Sequence, residues 1–251
     1  MIGAQIALDL RLRDASSFEN FLTGENSEAL AAARRCGTDE LAGSGLMLFG
    51  ATGTGKTHLI EAACRARAAT GARVVFAPLR ALQERDVDLI EDAESAPLVC
   101  LDDVDAIAGQ PVWERALVAL FDRLRDSGST LIASARVPAA NLAITLPDLR
   151  TRLSTLLAYE LSALDDTGKQ AALELRARNR GFDLTPETTA YLLARFPRDM
   201  HSLFGLLDRL DAAALAAKRR VTVPFIRAIE AAWSRERALH GPVRADAGDG
   251  Q

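Results

Sequence analysis

Apolar and polar positions fall into two regimes along this chain. From about residue 45 to 160, short continuous apolar runs alternate with longer stretches of helical periodicity. The runs are Leu46–Phe49, Val74–Ala77, Leu98–Leu101, Thr130–Ser134 and Leu156–Leu161. A short run that is apolar throughout, rather than alternating, predicts a strand buried on both faces. Strands that alternate with helices predict a parallel sheet covered on both sides. From about residue 164 the pattern changes to three or four amphipathic helices with no strand between them. Thr185-Pro186 and Thr222-Val223-Pro224 each place a capping hydroxyl just before a proline in a first helical turn. Alanine is dense over 211–217, as in a well-formed helix. The predicted class is α/β: a five-stranded parallel sheet flanked by helices over 17–162, then a small all-α domain over 163–235. Residues 1–16 read as a flexible arm. The polar tail 236–251, with Gly241-Pro242 and its Ala, Asp and Gly content, reads as disordered.

Bulk composition narrows this little. At 251 residues, 49% hydrophobic and 25% charged, the chain has the make-up of a soluble globular protein with a real core. No apolar run approaches a membrane span and the N-terminus lacks the layout of a signal peptide, so a cytoplasmic protein is expected. The net charge of −4 argues against a nonspecific grip on DNA through bulk charge. Cys36, Cys64 and Cys100 are widely spaced and odd in number, which predicts small core residues in a reducing compartment rather than disulfides or a metal site.

The chemistry is carried by Gly50-Ala51-Thr52-Gly53-Thr54-Gly55-Lys56-Thr57, which reads G-x-x-x-x-G-K-T. It lies between a predicted strand and a predicted helix starting near His58. A glycine-rich turn in that place lets successive backbone N–H groups face a phosphate chain, and the helix N-terminus adds partial positive charge. Lys56 can reach the terminal phosphates, and the Thr57 hydroxyl can ligate Mg²⁺. Asp102 and Asp103 end the apolar run Leu98–Leu101. Asp102 is the candidate to hold the metal and Asp103 to orient a water. Ser134, closing the next run, is read either as a contact to the γ-phosphate or water, or as a plain strand end. Arg150 and Arg152 diverge on a helix, so one of them can leave the subunit. The alternative is a solvated surface arginine. Arg198, taken to open a long helix, runs against the helix dipole and so hints at an anionic partner. An ion pair with Asp199 or Glu187 is the plainer reading.

As a set, these parts resemble the AAA+ family, and within it the branch of the replication initiator DnaA. The residues that carry the resemblance are Ser17-Phe18-Glu19-Asn20-Phe21, Gly53-Thr54-Gly55-Lys56-Thr57-His58-Leu59, Asp102-Asp103, Leu149-Arg150-Thr151-Arg152-Leu153 and Arg198, over roughly 17–233. Gln5-Ile6-Ala7-Leu8-Asp9-Leu10 is similar to a sliding-clamp-binding peptide, with Gln5, Ile6, Leu8 and Leu10 as its contacts, although the same hexapeptide reads as an edge strand. No DNA-reading domain of the DnaA kind is expected in the polar tail after the last helices. The combination resembles the Hda family of DnaA inactivators.

That resemblance implies a bacterial regulator of replication initiation that binds ADP (or ATP) with Mg²⁺ and docks on the DNA-loaded clamp. It implies that such a protein stimulates hydrolysis of DnaA-bound ATP through Arg152 as an arginine finger in trans. It further implies Arg198 as the nucleotide-sensing arginine of the lid, Phe21 and Leu22 near the adenine, and a homo-oligomer able to mask Arg152. Ala135 stands where DnaA has an aspartate, which weakens the expectation of intrinsic ATPase activity. The competing expectation is a stand-alone AAA+ ATPase of the helicase-loader type.

Overall fold

The computed structural model describes residues 16–239 apart from 42, 91 and 92. The arm residues Gln5, Ile6, Leu8 and Leu10 lie outside the described residues. Within them the chain divides into two compact units at Gly168–Lys169, a few residues beyond the boundary expected at 162.

The first unit holds β1 (Gly45–Phe49), β2 (Val74–Pro78), β3 (Leu98–Asp102), β4 (Thr130–Ala135) and β5 (Leu157–Glu160), with α1 (Ser27–Gly37), α2 (Lys56–Ala68), α3 (Pro111–Ser127) and α4 (Pro147–Ser154). The strands form one parallel sheet in the order β2-β3-β4-β1-β5. Successive side chains leave a strand on opposite faces, and that alternation sorts the core into two layers. Leu46, Leu48, Leu98, Cys100 and Ile132 face α1 and α2, where they meet Ala33, Cys36, Leu59, Ile60 and Ala63. Met47, Val99, Leu101, Leu131 and Ala133 face α3 and α4, where they meet Trp113, Leu117, Leu120, Leu149 and Leu153. All five expected runs are strands, with ends that shift by a residue or two; β5 is a shorter edge strand than expected.

Register decides where the chemistry falls. Phe49 pairs with Ala135 and Leu101 with Ala133, so β1, β3 and β4 end together. Gly50, Asp102, Asp103 and Ser134 are thereby gathered at the carboxyl edge of the sheet, where ligands of open α/β sheets bind.

The second unit contains most of α5 (Asp166–Asn179), then α6 (Pro186–Arg195), α7 (Met200–Ala217) and α8 (Val223–Leu239). Thr185 caps α6 by accepting the Thr188 N–H at 3.2 Å. The Tyr191 hydroxyl donates to Glu230 at 3.0 Å and ties α6 to α8, while Arg176 and Arg180 of α5 both pair with Asp208 of α7. The tail was expected to be disordered from 236, but α8 continues to Leu239.

Candidate nucleotide site

The loop between β1 and α2 is a cradle that only glycine can line at its key points. Gly50, Gly53 and Gly55 have φ of 147°, 83° and 98°. A Cβ on Gly50 would lie 2.5 Å from the Leu161 carbonyl oxygen, and one on Gly55 would lie 2.7 Å from the Phe21 ring. The Thr54 hydroxyl closes the turn onto the Ala51 carbonyl at 3.0 Å. Helix α2 starts at Lys56, two residues earlier than expected, so its unpaired N–H groups point into the loop. Lys56 is buried, and its ammonium donates to the carbonyls of Gly50 (2.7 Å) and Ala51 (2.8 Å). Burial pulls its pKa down, and Asp103, Asp102 and Asp105 push back the other way.

Asp102 sits 5% exposed at the end of β3. The Thr57 hydroxyl donates to its Oδ2 at 2.7 Å, and Ser134 donates to its Oδ1 at 2.5 Å. Burial raises the Asp102 pKa above the ordinary value, against the lowering effect of both hydroxyls. Thr57 and Asp102 are thus already neighbours. Their oxygens, a hydroxyl and a carboxylate, are the hard donors Mg²⁺ takes when phosphates and water complete its shell. Among the described residues no group of three or more His, Cys, Asp and Glu could hold a metal alone, so such an ion needs the phosphates. The glycine cradle and this donor pair fit a Mg²⁺–nucleotide. Bound there, it would carry a polarised phosphate chain, with Lys56 and the loop N–H groups holding its charge.

Ser134 does not face the site as a phosphate contact. It is fully buried, gives its single proton to Asp102 and accepts the Asp103 N–H at 2.9 Å. Its place in β4 puts the side chain between the two aspartates, so its role is to position them. Asp103 is in the left-handed region (φ 60°, ψ 52°) and its carboxylate pairs with Arg80 Nε at 2.7 Å. Arg80 also reaches Asp105, which holds Arg136 at 2.6 Å. The water-orienting candidate is therefore already engaged by a guanidinium.

The segment ahead of α1 folds along α2. Ser16 donates to Glu61 at 2.6 Å and its carbonyl accepts Arg65 Nε, so residue 16 belongs to the domain rather than to the arm. His58 Nε2 lies 2.9 Å from the Ser17 carbonyl, and its ring is 5.4 Å from that of Phe21. Phe21 closes over Gly55 and so borders the loop; Leu22 is half-buried beside it in sequence.

Arg152 does not leave the molecule as a free side chain. It lies with its side chain 23% exposed and holds Asp148 through Nε and Nη2, both at 3.1 Å, and Asp122 through Nη1. The cause is geometric: Asp148 is four residues earlier on α4, and α3 packs alongside and brings Asp122. These two carboxylates push its pKa further up. The exposed arginine is Arg150, which donates to the Ile144 carbonyl. In the second unit, Arg198 precedes α7 rather than opening it. Asp199 is the N-cap, accepting the Ser202 N–H at 2.8 Å, and that bond lowers its pKa; Arg198 Nε donates to the Leu193 carbonyl at 3.2 Å.

Two residues escaped the sequence reading. Arg80 is brought to Asp103 only by the fold. Glu114 had a visible sign: it is a charge on the apolar stripe of α3 that includes Trp113, Leu117 and Leu120.

The family described as the bacterial DnaA ATPase domain matches residues 12–160. The chain belongs to this family, in the Hda/DnaA branch of AAA+ proteins. The Hda lid domain matches residues 166–229. Domain III of the Thermotoga maritima initiation protein DnaA superposes with a TM-score of 0.75 at 20% identity, covering 84% of this chain and 94% of that one. AMPPCP-bound DnaA from Aquifex aeolicus gives 0.65 at 21% identity over 78% of this chain and 64% of its own. The Aeropyrum pernix Orc1 protein in complex with DNA gives 0.62 at 19% identity, over 84% and 66%. These likenesses establish the AAA+ fold with a helical lid; the family membership rests on the sequence matches. Among the described residues no helix is long and apolar enough to cross a membrane.

Proposed function

We propose that this protein regulates chromosomal replication initiation as a nucleotide-bound partner of DnaA. The observation that carries the reading is a DnaA-type ATPase domain followed directly by a lid of the Hda type. In this reading Gly50 to Thr57 and Asp102 hold ADP or ATP with Mg²⁺, Phe21 and Leu22 border the base, and Arg198 of the lid senses the nucleotide. The peptide Gln5 to Leu10 docks on the sliding clamp. Arg152 then acts on ATP held by DnaA, neutralising charge that builds on the transferring phosphate.

Arg152 must first let go of Asp122 and Asp148. Ion pairs at a partly exposed site contribute little, since water and salt screen them. An arginine placed on a transferring phosphoryl group is worth about 10³–10⁵ in rate. The second effect is far larger, so pairing within the chain is a resting place rather than a barrier. Asp103 held by Arg80, and Ala135 at the end of β4, agree with weak hydrolysis by the protein alone.

The test is ATP loss from DnaA with clamp and DNA present. Arg152→Ala should abolish the stimulation while nucleotide binding survives, and Arg150→Ala should keep it. Loss in Arg150→Ala alone moves the role to the exposed arginine. Full stimulation by both variants overturns the arginine reading, and an unchanged rate after deleting residues 5–10 overturns the clamp reading. Turnover of about 1 s⁻¹ or more by the protein alone would favour a stand-alone ATPase.

A further inference from the structure

Glu114 is a wholly buried carboxylate in the first turn of α3. It accepts the N–H of Gly109 (2.7 Å), the N–H of Thr145 (3.0 and 3.1 Å), the Thr145 hydroxyl (2.5 Å) and the N–H of Leu146 (2.8 Å). A buried carboxylate is costly unless its oxygens are satisfied. Here neutral donors from two different loops satisfy it. Desolvation by itself would raise the Glu114 pKa, but the bonds from Thr145, Gly109 and Leu146 outweigh it and leave the group ionised below the usual range.

The two loops lead into α3 and α4. Helix α4 has no cap of its own, because its N-cap residue is Leu146, which carries no acceptor, and Pro147 follows without an N–H. Glu114 instead grips, from α3, the two residues that lead into α4, taking the N–H of Thr145 and of the N-cap residue Leu146. At eight residues α4 is too short to be stable alone, so its direction is set by what grips its ends. Leu149 and Leu153 bury one side, the Glu114 carboxylate fixes the residues that enter the first turn, and Asp122 meets Arg152 near the last.

We propose that Glu114 is a positioning residue for the arginines of α4. It fixes the direction in which Arg150 and Arg152 are presented, and so sets the rate of hydrolysis stimulated in another subunit. This rests on the function proposed above. Arg152 lies six residues beyond Leu146, about 9 Å along the helix axis. Pivoting the first turn by some 10–20° carries the guanidinium sideways by about 2–3 Å, and a misplacement of about 1 Å at a reacting centre can cost about a hundredfold in rate.

Glu114→Gln tests this, because it keeps the shape but turns an amide NH₂ toward the loop N–H groups. Amide exchange at Gly109, Thr145 and Leu146 should quicken by about tenfold or more, as expected for the loss of a buried charge-assisted bond. Nucleotide affinity should stay within about twofold, since the hydrogen bonds to Glu114 come from Gly109, Thr145 and Leu146, which lie outside the P-loop. The maximal stimulated rate at saturating DnaA should fall at least about tenfold, with the half-saturating concentration little changed. Thr145→Val removes only the hydroxyl donor. It should give a smaller loss of the same kind, and it serves if the glutamine variant does not fold.

Wild-type stimulation in a Glu114→Gln protein whose exchange has quickened would overturn the proposal. So would a parallel fall of nucleotide affinity and stimulation, which a general structural role predicts. Arg152→Ala and Arg150→Ala, run alongside, separate the two claims. Full activity in both would remove the function reading and this proposal with it. Loss in either, with Glu114→Gln intact, would remove this proposal alone.

Discussion

Replacing Ser134 with alanine separates two roles for that hydroxyl. In the structure it gives its proton to Asp102 and takes the Asp103 N–H, with no exposure to solvent. Ser134→Ala removes a hydrogen bond to a charged group, worth about 1.5–3 kcal/mol, and takes the acceptor from the partly buried Asp103 N–H, which costs at most about 1–3 kcal/mol. The two losses share one atom and overlap, so about 3 kcal/mol is a fair total. In a chain of this size that is a fall in Tm of roughly 6–12 °C. A second effect follows at Asp102. Burial already raises its pKa, and losing one of the two hydroxyls that counter this raises it further. Mg²⁺-dependent nucleotide affinity should therefore weaken, while binding measured with a chelator changes little. Thermal unfolding without ligand and equilibrium binding with and without Mg²⁺ read the two effects. An unchanged Tm together with a lost preference between ATP and ADP would refute the reasoning, because it would mean that the hydroxyl serves the nucleotide rather than the aspartates.

Two further outcomes are expected. Gly50→Ala puts a Cβ 2.5 Å from the Leu161 backbone oxygen at φ 147°, so the loop must move; nucleotide titration should show a loss of at least about a hundredfold, beyond the roughly 1–3 kcal/mol of backbone strain. Asp102→Asn should flatten part of the stability–pH curve. With a folded pKa above the unfolded one, the native state binds the extra proton. Stability from this group is present at low pH and lost as pH rises through the raised value, so the wild type should lose ground to the asparagine variant over that window in paired unfolding curves.

Much of this was legible in the sequence, for a physical reason. Strands, the phosphate loop and the Thr185 cap are written in neighbouring residues, so periodicity and spacing suffice to find them. Asp102 stands out only because the buried run it ends follows the phosphate loop at a plausible distance, since a strand ending in an acidic turn is common by itself. What escaped depends on register and packing. Ser134 stays open between a phosphate contact and a plain strand end in the sequence, which gives the strand end but not which neighbours its side chain meets. The Asp148–Arg152 pair is visible in its spacing, but Asp122 comes from another helix and Arg80 from another strand's end. Arg198 was read as the start of α7 although Asp199, one residue on, is the better N-cap.

The cysteines have a practical consequence. All three are buried in the layer beneath α1 and α2, and burial lifts the Cys36 thiol to about 11 and the Cys100 thiol well above its ordinary value. The folded protein therefore offers a maleimide dye no ready target. One cysteine engineered at the exposed Thr151 position, between the two arginines of α4, would take a fluorophore selectively without stripping the native thiols. A quencher on DnaA would then report, in real time, how near that helix comes.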